Sequence, residues 1–351
     1  MSTVHLGRSE TKRSSALRNL AASAASGVKA HGGLLLALVV LVVLSMLLSP
    51  YFATYPNLLN ILRQLAFTGI IALGMTLVIV AGEIDISVGS AIAFASSLLG
   101  VTAMRMGLPL PLAVVLVIVA GTAVGLAGGA VRAYANVPSF IVTLALYSAL
   151  RGAAYLLTNA IPIPILDPAF HWLGSGFILG LPVPAVLFLA LFVVFAVIAR
   201  RTTYGRSIYA IGGNADAAHL SGIPVKLVRT SLFGITGFLA AVSGVLQSAR
   251  LDAGNAGYGL GVEFAVITAV IVGGASLFGG KGTMLGTLIG GVFIAVLNNA
   301  MVLIGVNSYA QYVANGAVVL LAVMVSNLER DSLLPRVLLR RFAGRSPGRP
   351  R

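Results

Sequence analysis

The chain has 351 residues, of which 58% are hydrophobic and only 9% charged, with a mean hydropathy of +1.00; soluble domains carry about 25% charged residues, so this composition cannot make the surface of a water-soluble globule. It has no cysteine, which excludes disulfides, thiolate catalysis and Cys-ligated metal or iron–sulfur sites. The formal net charge of +14 would suggest nucleic acid in a soluble protein, so the placement of the basic residues has to decide its meaning.

Arg8, Lys12, Arg13, Arg18 and Lys29 precede an apolar run from Leu34 to Leu48. That run is long for a signal peptide, and Ser49-Pro50-Tyr51 has no small-residue cleavage pattern, so an uncleaved first span behind a basic cytoplasmic tail (1–30) is expected. Breaks at Gly, Pro and charge clusters then predict about ten spans, at 31–52, 61–81, 86–104, 110–131, 138–158, 178–200, 226–249, 262–276, 283–305 and 309–327. The third and eighth are short or rich in Gly and Ser, the pattern of broken or re-entrant elements. The fold class is thus an all-α polytopic membrane protein with one membrane domain, 31–327. A basic C-terminal tail, 328–351, follows, with Arg340 to Arg351 expected to be disordered.

Orientation follows from the positive-inside bias. With a cytoplasmic N-terminus, the inner segments collect the tail charges, Arg132, Arg200, Arg201, Arg206, Lys226, Arg229, Lys281 and the C-terminal arginines, whereas Arg63, Arg105 and Arg250 fall outside. Both termini are expected in the cytoplasm. The net charge then marks inner loops and attracts anionic headgroups rather than nucleic acid. An internal echo, Val78-Ile79-Val80-Ala81-Gly82 against Val270-Ile271-Val272-Gly273-Gly274, falls at two inner span ends. A parallel duplication and chance similarity both account for it.

The longest inner loop, 200–226, contains helix signals. Asn214 suits an N-cap, Asp216 complements the dipole in the first turn, Gly222 suits the position after the end, and Pro224 blocks continuation. A helix this short is unstable alone, so it docks either on a partner subunit or on the membrane domain's own helix ends.

The same loop carries a resemblance. Tyr204-Gly205-Arg206 through Gly212-Gly213-Asn214, with Ala217-Ala218 and Leu220-Ser221-Gly222-Ile223, resembles the cytoplasmic loop of permeases in ribose- and xylose-type bacterial ABC importers. Asn57 to Gln64, Gly74-Met75-Thr76, Asp85 to Ser90, Val137 to Leu144 and Gly273 to Gly280 resemble further blocks of that family in the same order. The resemblance covers roughly residues 55–327 and specifies the family far better than the solute. It implies a multi-pass subunit of the bacterial inner membrane, usually in two copies, that carries a monosaccharide delivered by an extracytoplasmic solute-binding protein. It also implies an ATPase subunit holding ATP and Mg²⁺, which receives the short helix; Gly205, Arg206, Gly212, Gly213, Asn214, Asp216, Ala217, Leu220, Ser221 and Gly222 are then the coupling element. A branched-chain amino-acid permease, a secondary transporter and a channel are the alternatives.

No cofactor and no catalytic role are expected of the chain itself. Gly274-x-x-x-x-Gly279-Gly280-Lys281-Gly282-Thr283 comes nearest to a P-loop, but the Lys is displaced, Gly282 replaces the Ser or Thr, and the segment joins two spans. The four histidines, His5, His31, His171 and His219, are scattered and suggest no metal site.

Other polar residues carry two readings each. Glu83 and Asp85 stand at a span junction, where a charge has to be wetted or paired; Asp85 or Ser87 capping the next helix is the plain reading, and a place on the translocation path the functional one. Glu83 departs from the family pattern, which usually has Gly there, so no role is carried over to it. Arg151 suits outward snorkelling, structural pairing or a contact with a hydroxyl-rich solute. Asn298, Asn299 and Gln247 suit interhelical bonding, and Asn298 also the path. Gly282, Gly286 and Gly290 suit close helix contact. Residues 158–177, with Trp172, form an outer loop that suits either a binding-protein contact or an interfacial anchor.

Overall fold

The computed structural model describes residues 32–331. The N-terminal tail and the Arg340–Arg351 segment therefore lie outside the described residues. The chain runs as α1 (Gly32–Leu48), α2 (Tyr55–Val80), α3 (Val88–Gly100, prolonged by a π-helical turn Val101–Arg105), α4 (Leu110–Tyr134), α5 (Ser139–Thr158), β1 (Ile163–Pro164), α6 (Pro168–Ser175), β2 (Phe177–Ile178), β3 (Leu181–Pro182), α7 (Val183–Arg201), α8 (Thr203–Gly213), α9 (Ala215–Leu220), α10 (Val225–Leu251), β4 (Ala253–Gly254), α11 (Val262–Val272), α12 (Met284–Leu303) and α13 (Ser308–Asp331). A helix occupies each stretch expected as a span. Among the described residues seven helices are long and apolar enough to cross a bilayer, while α1, α11 and part of α13 form shorter apolar helices.

Two helices form the centre. In α2 and α10, 83% and 78% of the apolar window is buried, against 17% and 22% in α4 and α5, which offer most of their apolar surface to lipid. The α2 residues Ile70, Ile71, Leu73, Met75, Leu77 and Ile79 interlock with Leu232 and Leu239 of α10. Apolar lipid gives little hydrophobic drive for helix association, so close packing and buried polar pairs matter more. Such pairs cross the core: Asn57 and Asn299 exchange amide hydrogen bonds at 2.9 and 2.8 Å, Thr76 meets Thr287 at 2.6 Å, and Ser96 meets Ser248 at 2.7 Å. Asn299 is thus the interhelical bond expected of it. Gln247 bonds only Ser243 of its own helix, and Asn298 Oδ1 is buried without a partner among the described residues. The glycine ladder acts in packing, as Gly286 lies against Gly273 and Gly290 against the Ala269 carbonyl.

The echo extends to main-chain geometry. At the end of α2, Gly82 N donates to Ile79 O and Glu83 N to Val78 O; at the end of α11, Gly274 N donates to Ile271 O and Ala275 N to Val270 O. Both Gly82 and Gly274 have positive φ, +78° and +90°, the left-handed conformation that closes a helix and satisfies its last carbonyls.

At the opposite end of the bundle, β1 pairs antiparallel with β4 and β2 with β3. Asp167 caps α6 by accepting from Phe170 N, which buries Phe170 and leaves Trp172 exposed. From β4 the chain does not stay at the rim: Gly254 abuts Gly100 of α3 and Gly259 abuts Gly89. Segment 253–261 therefore descends along α3 for roughly 16 Å, taking 1.5 Å per residue. α11 starts at the bottom of that descent, which explains why the eighth expected span is short.

Candidate functional site

The end of the bundle that holds Arg132, Arg200, Arg206, Lys226 and Arg229 also holds α8 and α9. Thr202 caps α8 by accepting from Gly205 N at 3.0 Å, and Asn214 caps α9 by accepting from Ala217 N at 2.9 Å. Gly222 has φ +83° after the α9 terminus, so the cap, first-turn acid and terminating glycine fall where the sequence places them. Helix α8 is an addition to the single short helix expected in this loop, masked in the sequence by Gly205, Gly212 and Gly213, which resemble loop residues. Its amphipathic register, with Ile208 and Ile211 buried, was the available signal.

The ten coupling residues divide by exposure. Arg206, Gly213, Asn214, Asp216, Ala217, Leu220, Ser221 and Gly222 face outward, whereas Gly205 is buried and Gly212 half-buried. Leu220 is 87% exposed. The inward residues seat the element. Gly205 packs on the Ile198 and Ala199 carbonyls, and a methyl group at Gly212 would overlap the Val80 carbonyl oxygen. Tyr204 bonds Ser231 at 2.7 Å, and Tyr209 donates to the Gly282 carbonyl at 2.7 Å; burial pushes both phenols upward in pKa. Gly280 N donates to Val80 O at 2.8 Å. The 273–283 turn, whose glycines gave the P-loop likeness, is therefore a wedge between α8 and the end of α2.

Loop 81–87 folds back into the bundle from Val80. Glu83, 2% exposed, lies 2.8 Å from Arg132 Nε and 2.8 Å from Arg229 Nε. It is the paired charge that a span junction requires, and its two partners come from α4 and α10. Asp85 is buried and has no cationic partner among the described residues. Ser87 N and Ser87 Oγ donate to its Oδ1 at 2.9 and 2.6 Å, and Thr236 Oγ1 to its Oδ2 at 2.6 Å. Burial raises its pKa, against the lowering effect of these hydrogen bonds. The expected cap is corrected here. Ser87 stands at the N-cap of α3 without capping it, its backbone in the right-handed helical rather than the extended conformation and its hydroxyl directed at Asp85.

Asp85, Ser87 and Thr236 line a cavity of about 20 Å³ with Phe94, Phe233 and Leu150, room for about one water molecule. Arg151 and Asn298 do not line it. Arg151 turns inward and Nη1 donates to the Ala256 and Tyr258 carbonyls at 2.8 and 2.9 Å, while Nε and Nη2 are buried without a hydrogen-bond partner among the described residues. Those bonds fix the descending segment after β4 by giving partners to the Ala256 and Tyr258 carbonyls, which lie outside helix and strand.

A protein family described as "branched-chain amino acid transport system / permease component" matches residues 57–326. The chain is 46% identical over 297 residues to the probable ABC transporter permease protein YphD of Escherichia coli, covering 84% of this chain and 89% of that protein. It is 40% identical over 296 residues to the ribose import permease protein RbsC of Haemophilus influenzae, with 83% and 91% covered. The xylose transport system permease protein XylH of the same organism is 32% identical, with 79% and 90% covered. No solved structure matches the chain significantly.

Proposed function

The chain belongs to the family of branched-chain amino acid transport system permease components, and from that membership we propose that it is the translocation subunit of an ATP-driven ABC importer for a monosaccharide. The observation that carries the reading is the α8–α9 pair: a capped helix whose outward face presents Asp216 and an almost wholly exposed Leu220. A six-residue helix has too little internal stability to persist as an unsupported projection, and an exposed leucine on a short helix suits helix-in-groove docking on a partner. The sugar assignment rests on the relatives named for ribose and xylose. The family description names branched-chain amino acids, which keeps that solute class as the second reading.

In this reading both termini and the α8–α9 end face the cytoplasm, all ten apolar helices are embedded, and two copies assemble with an ATPase and an extracytoplasmic binding protein. The clustering of Arg132, Arg200, Arg206, Lys226 and Arg229 at one end supports the orientation. Asp85 and Ser87 belong to the translocation path, where buried carboxylate and hydroxyl groups suit solute hydroxyls. The test is affinity purification of the tagged chain co-expressed with its ATPase: Asp216→Lys and Leu220→Asp abolish co-purification, and unchanged association refutes the docking assignment.

A further inference from the structure

Loop 81–87 is held from two directions, and both lead back to the docking element. Where it leaves α2, the Val80 carbonyl accepts from Gly280 N and touches Gly212, while Gly279 lies against both Gly212 and Gly82. Tyr209 closes this junction through the Gly282 carbonyl. These contacts are largely backbone against backbone. The contacts among the Val80 carbonyl, Gly212, Gly279 and Gly82 have no rotamer with which to absorb a displacement, and close-packed interiors transmit strain.

The second route is electrostatic. Arg229 stands in the first turns of α10, the helix that follows α9; it holds Glu83, and Glu83 stands two residues from Asp85. Asp85 in turn grips α10 through Thr236 and lines the cavity. The docking surface, the charge clamp and the buried carboxylate are thereby connected through one short loop.

We propose that loop 81–87 is the receiving part of the coupling mechanism, with Tyr209, Gly212 and Glu83 as positioning residues that pass displacement of α8–α9 to Asp85 and change its access to water. This rests on the function proposed above and assigns the route by which an ATPase stroke enters the bundle. The docking residues supply the contact; Tyr209 and Glu83 supply the linkage.

The absence of cysteine permits a single reporter. Ala91 is half-buried and lines the cavity, so Ala91→Cys can be labelled with a membrane-impermeant maleimide in the complex with the co-purifying ATPase. The expected labelling rate changes several-fold between nucleotide-free and ATP–vanadate states. Tyr209→Phe and Glu83→Gln each flatten that difference while retaining the ATPase in equal yield; Tyr209→Phe removes only one hydroxyl and guards against misfolding in the charge variant. Nucleotide-dependent labelling that persists undiminished in both variants, or that is absent in the reporter parent despite a bound ATPase, overturns the proposal. Failure of the parent to bind any ATPase removes the functional reading itself, an outcome distinct from a bound but unlinked ATPase.

Discussion

Glu83 Oε1 lies 2.8 Å from Arg229 Nε while Oε2 lies at the same distance from Arg132 Nε, so one carboxylate joins the ends of α4 and α10 beneath loop 81–87. Glu83→Ala leaves two guanidiniums facing each other at a mostly buried position. Breaking such a pair by removing one partner costs about 3–5 kcal/mol when both charges are fully buried; the arginines keep a wet edge, so about 2 kcal/mol is expected. Thermal unfolding in detergent measures it, with Arg132→Gln and Arg229→Gln each costing less because Glu83 keeps one cation.

The Asn57–Asn299 exchange yields a prediction with a sign reversal. Asn57→Leu strands the Asn299 amide and should cost about 1–3 kcal/mol, the desolvation of an unsatisfied buried group. Adding Asn299→Leu removes the stranded group and recovers most of the loss. A double-mutant cycle of unfolding free energies measures the coupling, and simple additivity would contradict the pairing.

Adjacent glycines in α8 should respond oppositely. Gly212→Ala drives a methyl group into the Val80 carbonyl, whereas nothing lies within 4 Å of a Cβ at Gly213. Gly213→Ala is therefore expected to be neutral or to stabilise by up to about 1 kcal/mol through helix propensity. Gly212→Ala should destabilise and detach α8 from α2, which limited proteolysis near Thr202 would report.

Arg151→Met removes the donors to the Ala256 and Tyr258 carbonyls. Faster amide hydrogen exchange across 253–261, with little change in α2, is the expected result. Unchanged exchange there would show that the segment is held by packing alone.

Local signals were the legible ones. Asn214, Asp216 and Gly222 mark α9 because a cap and a terminating glycine act within one turn, and the apolar runs locate the membrane helices because length and composition suffice. Partnerships between distant segments were not legible. Nothing near Glu83 in sequence announces Arg132 or Arg229, Tyr209 gives no hint of Gly282, and the inward turn of Arg151 depends on a descending segment that composition alone presents as a loop. Asp85 was legible as a candidate but not as the partner of Thr236, since a threonine inside an apolar helix usually bonds its own backbone.

Reconstitution into liposomes tests the central claim most directly. The purified chain, alone or with its ATPase and binding protein, is assayed for uptake of a panel of radiolabelled pentoses and hexoses. The account predicts uptake of at least one sugar only when the ATPase, binding protein and ATP are all present, and its loss with Leu220→Asp. Uptake by the chain alone, driven by a solute or ion gradient, would contradict it.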